Sequence, residues 1–272
     1  MKRDLEPIIF THQPDQDIVI RPLFDAHIGA RECDLKGLQA FVQDVLAHDN
    51  EYVVVGGDMI DNGVKSSVTN TYEQVYRPRD QKRIAAELLE PLAKAGRILC
   101  GTSGNHEARG VKEVDDDALY DIFAKLDIED CFRENICFLF IRTDPKDGES
   151  LRVAGRKRPF YCIAVTHGAG GGMYIGSGAN RLERYGAIID GLDGIIIGHT
   201  HKPMQFPVAK IKIDCWNNTI TQKHFAAMTA PSWLDYGGYP IRKMLPPVAK
   251  ADARMVLSGH NKKIKIISDV NV

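Results

Sequence analysis

Five short clusters of aspartate, asparagine and histidine punctuate the chain: Asp25-Ala26-His27, Gly57-Asp58-Met59-Ile60-Asp61, Gly104-Asn105-His106-Glu107, His167-Gly168 and Gly198-His199-Thr200-His201. They hold five of the nine histidines. Carboxylate oxygen and imidazole nitrogen are ligands for hard and borderline divalent cations. Such a set suits Mn²⁺, Fe or Zn²⁺, and no thiolate intrudes to select a softer ion. Taken singly, an Asp-x-His or a Gly-Asp is an ordinary turn, and His167 alone could be a core histidine. Two imidazoles one residue apart, as in His199 and His201, are a more pointed invitation to metal. Each of the five clusters directly follows a short apolar run. In an open α/β sheet, ligands gather beyond the carboxyl ends of the strands, so clusters placed this way converge in space. The residues alone therefore point to a polynuclear metal site.

The elements that must position these clusters are legible as period and punctuation. Ile18 to Ile20, Tyr52 to Val55, Arg97 to Cys100, Phe160 to Val165 and Gly194 to Ile197 are β-rich runs without strict alternation, as expected of strands buried on both faces. Helical spacing of apolar residues covers 34 to 48, with Asp34 as N-cap, and 80 to 95, closed by Gly96. It also covers roughly 115 to 126 and 180 to 189. Strand and helix alternate, which defines an α/β fold. After about residue 200 the pattern changes to paired short strands around Asn217-Asn218 and around Gly259 and Asn261. Residues 136 to 165 read as a further strand pair around a turn at 144 to 148. No repeat, low-complexity tract or linker interrupts the chain, so residues 1–272 are expected to form one domain.

Composition narrows the partners. Of 272 residues, 35 are basic and 36 acidic, for a net charge of −1. A protein that binds long nucleic acid mainly through charge would carry a basic excess. No apolar run approaches the roughly 18 residues that span a bilayer. At the start, Asp4, Glu6 and Pro7 interrupt what would be the apolar stretch of a signal peptide. The six cysteines form no C-x-x-C and read as reduced, buried thiols. The expected setting is the cytoplasm, with no membrane partner; a homodimer stays open on the general frequency of such assemblies.

The series D-x-H, G-D-x-x-D, G-N-H-E, H and G-H-x-H, spread over residues 25 to 201, resembles the calcineurin-like metallophosphoesterase superfamily. The resemblance implies a four-layer α/β/β/α sandwich whose two central mixed sheets carry the metals at a shared edge. The strands of 204–272 would complete the second sheet. It also implies two divalent metal ions. One would be held by Asp25, His27 and His201, the other by Asn105, His167 and His199, with Asp58 bridging both. Such a centre would generate a hydroxide that attacks phosphorus in line. His106 matches the position that assists the leaving oxygen, and Asp61 the carboxylate that orients it. Glu107 reads as structural. One departure matters: the protein phosphatases of this superfamily continue the second motif as Asp-Arg-Gly, whereas Asp61 is followed here by Asn62-Gly63.

The implied activity is hydrolysis of phosphoesters, foremost phosphodiesters, with a nucleic acid or a nucleotide as substrate. A phosphomonoesterase is the alternative, and a scaffold of the same fold is a third reading, disfavoured by the full ligand set. Four segments could shape specificity. Ala169 to Gly172 would form a rim beside one metal. Asn62 to Arg79, with Lys65, Tyr72, Tyr76, Arg77 and Arg79, either overhangs the cleft or is a solvated loop. The aromatic stretch Pro231 to Pro240 either stacks bases or anchors a long loop by packing. Arg156-Lys157-Arg158 either solvates a hairpin or touches a phosphate backbone.

Overall fold

Each of the five apolar runs becomes a strand, and the helices fill the intervals between them. The computed structural model describes residues 3–13, 15–64, 67, 71–143, 159–170 and 174–270. In chain order the strands and helices are β1 (Ile8–His12), β2 (Ile18–Leu23), α1 (Leu35–Leu46), β3 (Glu51–Val55), α2 (Pro78–Lys94) and β4 (Ile98–Thr102). There follow α3 (Glu107–Val114), α4 (Ala118–Lys125), β5 (Phe132–Arg133), β6 (Ile136–Thr143), β7 (Phe160–Thr166) and α5 (Ile175–Ile188). The chain continues with β8 (Gly194–Ile197), β9 (Met204–Asp214), β10 (Thr219–Thr229), α6 (Gly238–Arg242), β11 (Ala251–Leu257) and β12 (Ile264–Val270).

Two six-stranded mixed sheets result, ordered β12-β11-β2-β3-β4-β5 and β1-β6-β7-β8-β10-β9. They pack face to face over Ile20, Phe24, Val54 and Cys100 from one side and Leu139, Ile163, Ile196 and Met228 from the other. The first sheet is covered outside by α1, α2 and α4 through Leu38, Val42, Leu89 and Phe123. The second is covered by α5 through Leu182, against Ile195, Phe225 and Ala227. This is the four-layer α/β/β/α sandwich that the sequence led us to expect.

The strands β2, β3 and β4 run parallel, as do β7 and β8. Asp34 caps α1 by accepting from the Gly37 N–H at 2.9 Å. The helix expected at 115 to 126 is α4, with Asp117 as its cap. A further helix, α3, precedes it and ends at Asp115 in the left-handed conformation. The sequence reading missed α3 because Glu-Ala-Arg-Gly-Val-Lys-Glu-Val shows too few apolar residues for a periodic stripe.

The placement of the late hairpins needs correction. Only β9–β10 joins the second sheet; β11–β12 completes the first, with Met255 paired to Ile20. Ala253, Met255 and Leu257 alternate toward the space between the sheets, a pattern that either sheet would satisfy. It is the antiparallel pairing of β11 with β2 that puts the hairpin in the first. The β6–β7 pair forms as expected, while its turn and Arg156-Lys157-Arg158 lie outside the described residues. The six thiols are free, but Cys215 sits exposed at the β9–β10 turn rather than buried. Ile211, Ile213, Trp216 and Ile220 are also exposed on this hairpin, which outruns β8.

Candidate metal centre

The loops that leave β2, β3, β4, β7 and β8 at their carboxyl ends meet at one edge of the sandwich. The loops after β2 and β3 run side by side: the N–H groups of Asp25, His27 and Ile28 donate to the carbonyls of Gly57, Asp58 and Met59 at 3.1, 2.9 and 3.0 Å. Gly57 lets the third loop approach. Its φ is +80°, and a Cβ there would lie 2.3 Å from the Gly104 backbone nitrogen. Glu107 then ties the two loops together. It is fully buried, with Oε2 accepting from the N–H groups of Asp58 (2.8 Å) and Gly104 (2.9 Å) and Oε1 from Met59 (2.9 Å). Burial, joined by the charge of Asp58, pushes the Glu107 carboxyl up to about 7.

Backbone N–H groups hold the outer oxygens of the two central acids. His199 N–H donates to Asp25 Oδ2 at 2.9 Å and His106 N–H to Asp58 Oδ1 at 2.8 Å. The inner oxygens face imidazoles. Asp25 Oδ1 is buried without a hydrogen-bond partner, with His201 Nε2 3.2 Å away. Asp58 Oδ2 lies 3.2 Å from His167 Nε2 and 3.9 Å from His27 Nε2. Burial raises both carboxyls, but the imidazoles outweigh it and hold both below the usual carboxylate range.

The histidines bring their ring nitrogens together in pairs. His27 Nε2 is 3.3 Å from His201 Nε2, and His199 Nδ1 is 3.2 Å from His167 Nε2. His167 Nδ1–H donates to the Gly56 carbonyl at 2.8 Å, and His199 Nε2–H to the Gly170 carbonyl at 2.8 Å. Such outer hydrogen bonds fix the tautomer that leaves the inner nitrogen free to ligate. Asn105 Oδ1 is 3.1 Å from His167 Nε2.

Three overlapping sets of ligand atoms within reach of a cation emerge at this edge: Asp25, His27 and His201; Asp58, His167 and His199, with Asn105 beside them; and His27, Asp58 and His106 between the two. Ring nitrogens 3.2–3.3 Å apart beside a buried carboxylate oxygen without a hydrogen-bond partner form a donor set of oxygen and imidazole nitrogen that fits a divalent cation. Backbone strain agrees. Asp25, His27, Asp58, His199 and His201 have φ of 50°, 46°, 50°, 68° and 57°. Left-handed non-glycine residues cost about 1–3 kcal/mol each and cluster where function holds them.

On the rim, His106 Nδ1 donates to the Asp61 carbonyl at 2.7 Å, nearer than the Asp61 carboxylate at 3.4 Å. That carboxylate lies 3.7 Å from His27 Nδ1 and accepts from Gln74 Nε2 at 2.8 Å. Gln81 Nε2 in turn donates to Gln74 Oε1 at 2.7 Å, and Gln81 Oε1 accepts from Asn62 N–H at 2.8 Å. The 62–79 stretch thus supports Asp61 through Gln74, while Tyr72, Tyr76, Arg77 and Arg79 are exposed and Lys65 lies outside the described residues. Gln74, Gln81 and Arg109, which contacts both Asp61 and His106, were missed in the sequence. Only Arg109 had a signal, its spacing of three from His106. In the aromatic stretch Trp233 is a packing anchor, its ring 5.2 Å from that of Phe41. Gly171 and Gly172 of the glycine rim lie outside the described residues.

With this edge in view, the comparison with known families is direct. Residues 23–203, more than half of the chain, match the family model of calcineurin-like phosphoesterases. The chain belongs to that family. No curated protein matches it in sequence. Among the described residues no helix is long and apolar enough to cross a membrane.

Proposed function

We propose that the protein hydrolyses phosphodiesters with two divalent metal ions, Mn²⁺ foremost. The observation that carries this reading is Asp58 Oδ2, within 3.9 Å of one candidate ligand set and 3.2 Å of the other. Asp25, His27 and His201 would hold one ion and Asn105, His167 and His199 the other, with Asp58 shared. The ions would supply Lewis acidity, making water nucleophilic near neutral pH and offsetting phosphoryl charge.

The chain's own residues do the positioning. Glu107 and the paired loops keep the ligands in register before any ion arrives. Asp61 accepts the Nδ1 proton of His106 and so aims Nε2 across the rim, where we assign it to the departing oxygen. Asn62 stands where the protein phosphatases carry arginine, which counts against a phosphoprotein substrate. Its side chain turns inward, donating to the His106 carbonyl at 2.8 Å, so it offers no cation to a phosphate dianion. A nucleic acid or a nucleotide is the substrate class this reading favours, and the net charge of −1 favours short or single strands over long duplex.

The test is cleavage of end-labelled single- and double-stranded DNA, bis(p-nitrophenyl) phosphate and p-nitrophenyl phosphate, each with Mn²⁺. Turnover of the diesters at least about tenfold above the monoester is expected, which is a difference of about 1.4 kcal/mol in barrier. A monoester preference would overturn the diesterase reading and leave a phosphomonoesterase.

A further inference from the structure

Arg109 follows His106 by three residues, so the two side chains share a face at the start of α3. Its Nη1 donates to the Asp61 carbonyl at 2.8 Å, and its Nη2 lies 2.9 Å from His106 Nε2. A guanidinium has donors only. His106 Nε2 must therefore accept, and Nδ1, 2.7 Å from the same Asp61 carbonyl, must carry the ring proton. Both neighbours demand the same tautomer. The N–H group presented on the Nε2 side of the imidazole is thus the arginine's. This point borders the candidate ligands, because His106 Nε2 is 3.8 Å from Asp58 Oδ2.

We propose that Arg109 binds the phosphoryl group of the substrate, an assignment that rests on the phosphoesterase reading above. A phosphoester brings anionic oxygens that accept from a planar fork of N–H groups, the geometry in which arginine is strongest. Position 62, directly after Asp61, supplies no cation here, since Asn62 is turned onto the His106 carbonyl. Helix α3 supplies one from the other end of the same Asp61–His106 pair. A phosphoryl oxygen entering beside His106 takes over the N–H that Nε2 now accepts. The Nδ1–H bond to Asp61 is untouched by this exchange, so the imidazole keeps its orientation, and the freed Nε2 takes a proton from solvent that it can hand to the departing oxygen. Arg109 therefore contacts substrate, while Asp61 positions both side chains.

The experiment compares wild-type protein with R109M and R109K, each loaded with Mn²⁺. It follows binding of inorganic phosphate by calorimetry, hydrolysis of bis(p-nitrophenyl) phosphate, and metal content. R109M is expected to weaken phosphate binding about tenfold or more, the scale of one charged hydrogen bond. Its kcat/KM should fall about 100-fold, with metal content kept. R109K should recover only part, since an ammonium does not fork. In R109A, added guanidinium ion should restore phosphate binding, which a merely structural arginine would not allow. Phosphate binding by R109M within about twofold of wild type overturns the assignment, as do a wild type that binds no phosphate and an R109A deaf to guanidinium. Should R109M lose its metals, R109K carries the comparison. If wild type binds phosphate but turns over no diester, the diesterase reading fails by itself, and the phosphate titrations still decide on Arg109.

Discussion

Glu107 carries three backbone N–H bonds on two oxygens, and this single side chain spans the loops that bear Asp58 and Asn105. A glutamine there keeps one oxygen but places an NH₂ group against donors that need an acceptor. Each buried donor left unmatched costs about 1–3 kcal/mol. Glu107→Gln should therefore lower the unfolding free energy by about 2–4 kcal/mol in urea titrations. It should also weaken metal affinity about 10–100-fold, as loss of an outer-shell partner does. A stability within about 0.5 kcal/mol of wild type would show that the loops hold themselves. At this scale the sequence was a good guide to the candidate ligands, because aspartate, asparagine and histidine at strand ends have few other uses in such numbers. It was a poor guide to their supports. Glutamines such as Gln74 and Gln81 act through distance and angle, and neither leaves a mark in spacing.

The elements matter for what they hold at their ends. The Trp233 ring packs on Phe41 of α1, while its backbone N–H donates to the Asp25 carbonyl at 3.2 Å and its backbone carbonyl accepts from the N–H of Asp34, the cap of α1, at 2.9 Å. One residue thus joins the late loop, the first helix and the first candidate ligand. Trp233→Ala should cost about 2–4 kcal/mol of stability by loss of packing. The backbone bonds survive in alanine, but without the ring on Phe41 this loop loses its anchor beside Asp25. The Asp25 set should therefore loosen more than the His167 set, read as one metal released before the other during titration with a chelator. Loss of both metals together would contradict this link. The strands were legible because β3, β4 and β8 are buried along almost their whole length, and such runs stand out in composition. By contrast α3 starts inside a metal motif and lacks an apolar stripe, and β1 is a short strand with a half-exposed pattern. The sheet to which each late hairpin belongs was equally hidden, since alternation reveals a buried face but not which sheet it faces.

For the whole molecule, the sandwich brings five distant parts of the chain to one edge and pays for strained backbone there with three apolar cores elsewhere. A concavity of about 830 Å³ lies away from this edge, between Gln222, His224 and Ile264, and contains none of the candidate ligands. At the candidate centre Asn105 is exposed and His201 partly so, while Asp25, Asp58 and His167 are buried. Buried carboxylates and imidazoles thus lie below a partly exposed rim. The most direct measurement is metal content and Mn²⁺-dependent turnover of bis(p-nitrophenyl) phosphate, taken together on wild type and Asp58→Asn. Wild type should carry two metal ions per chain and turn over the diester. Asp58→Asn should lose metal from both sets and slow by about 10³-fold or more, the scale of removing a key electrostatic group. Wild-type metal content and rate in Asp58→Asn would contradict a shared aspartate, and with it the two-metal account of this site.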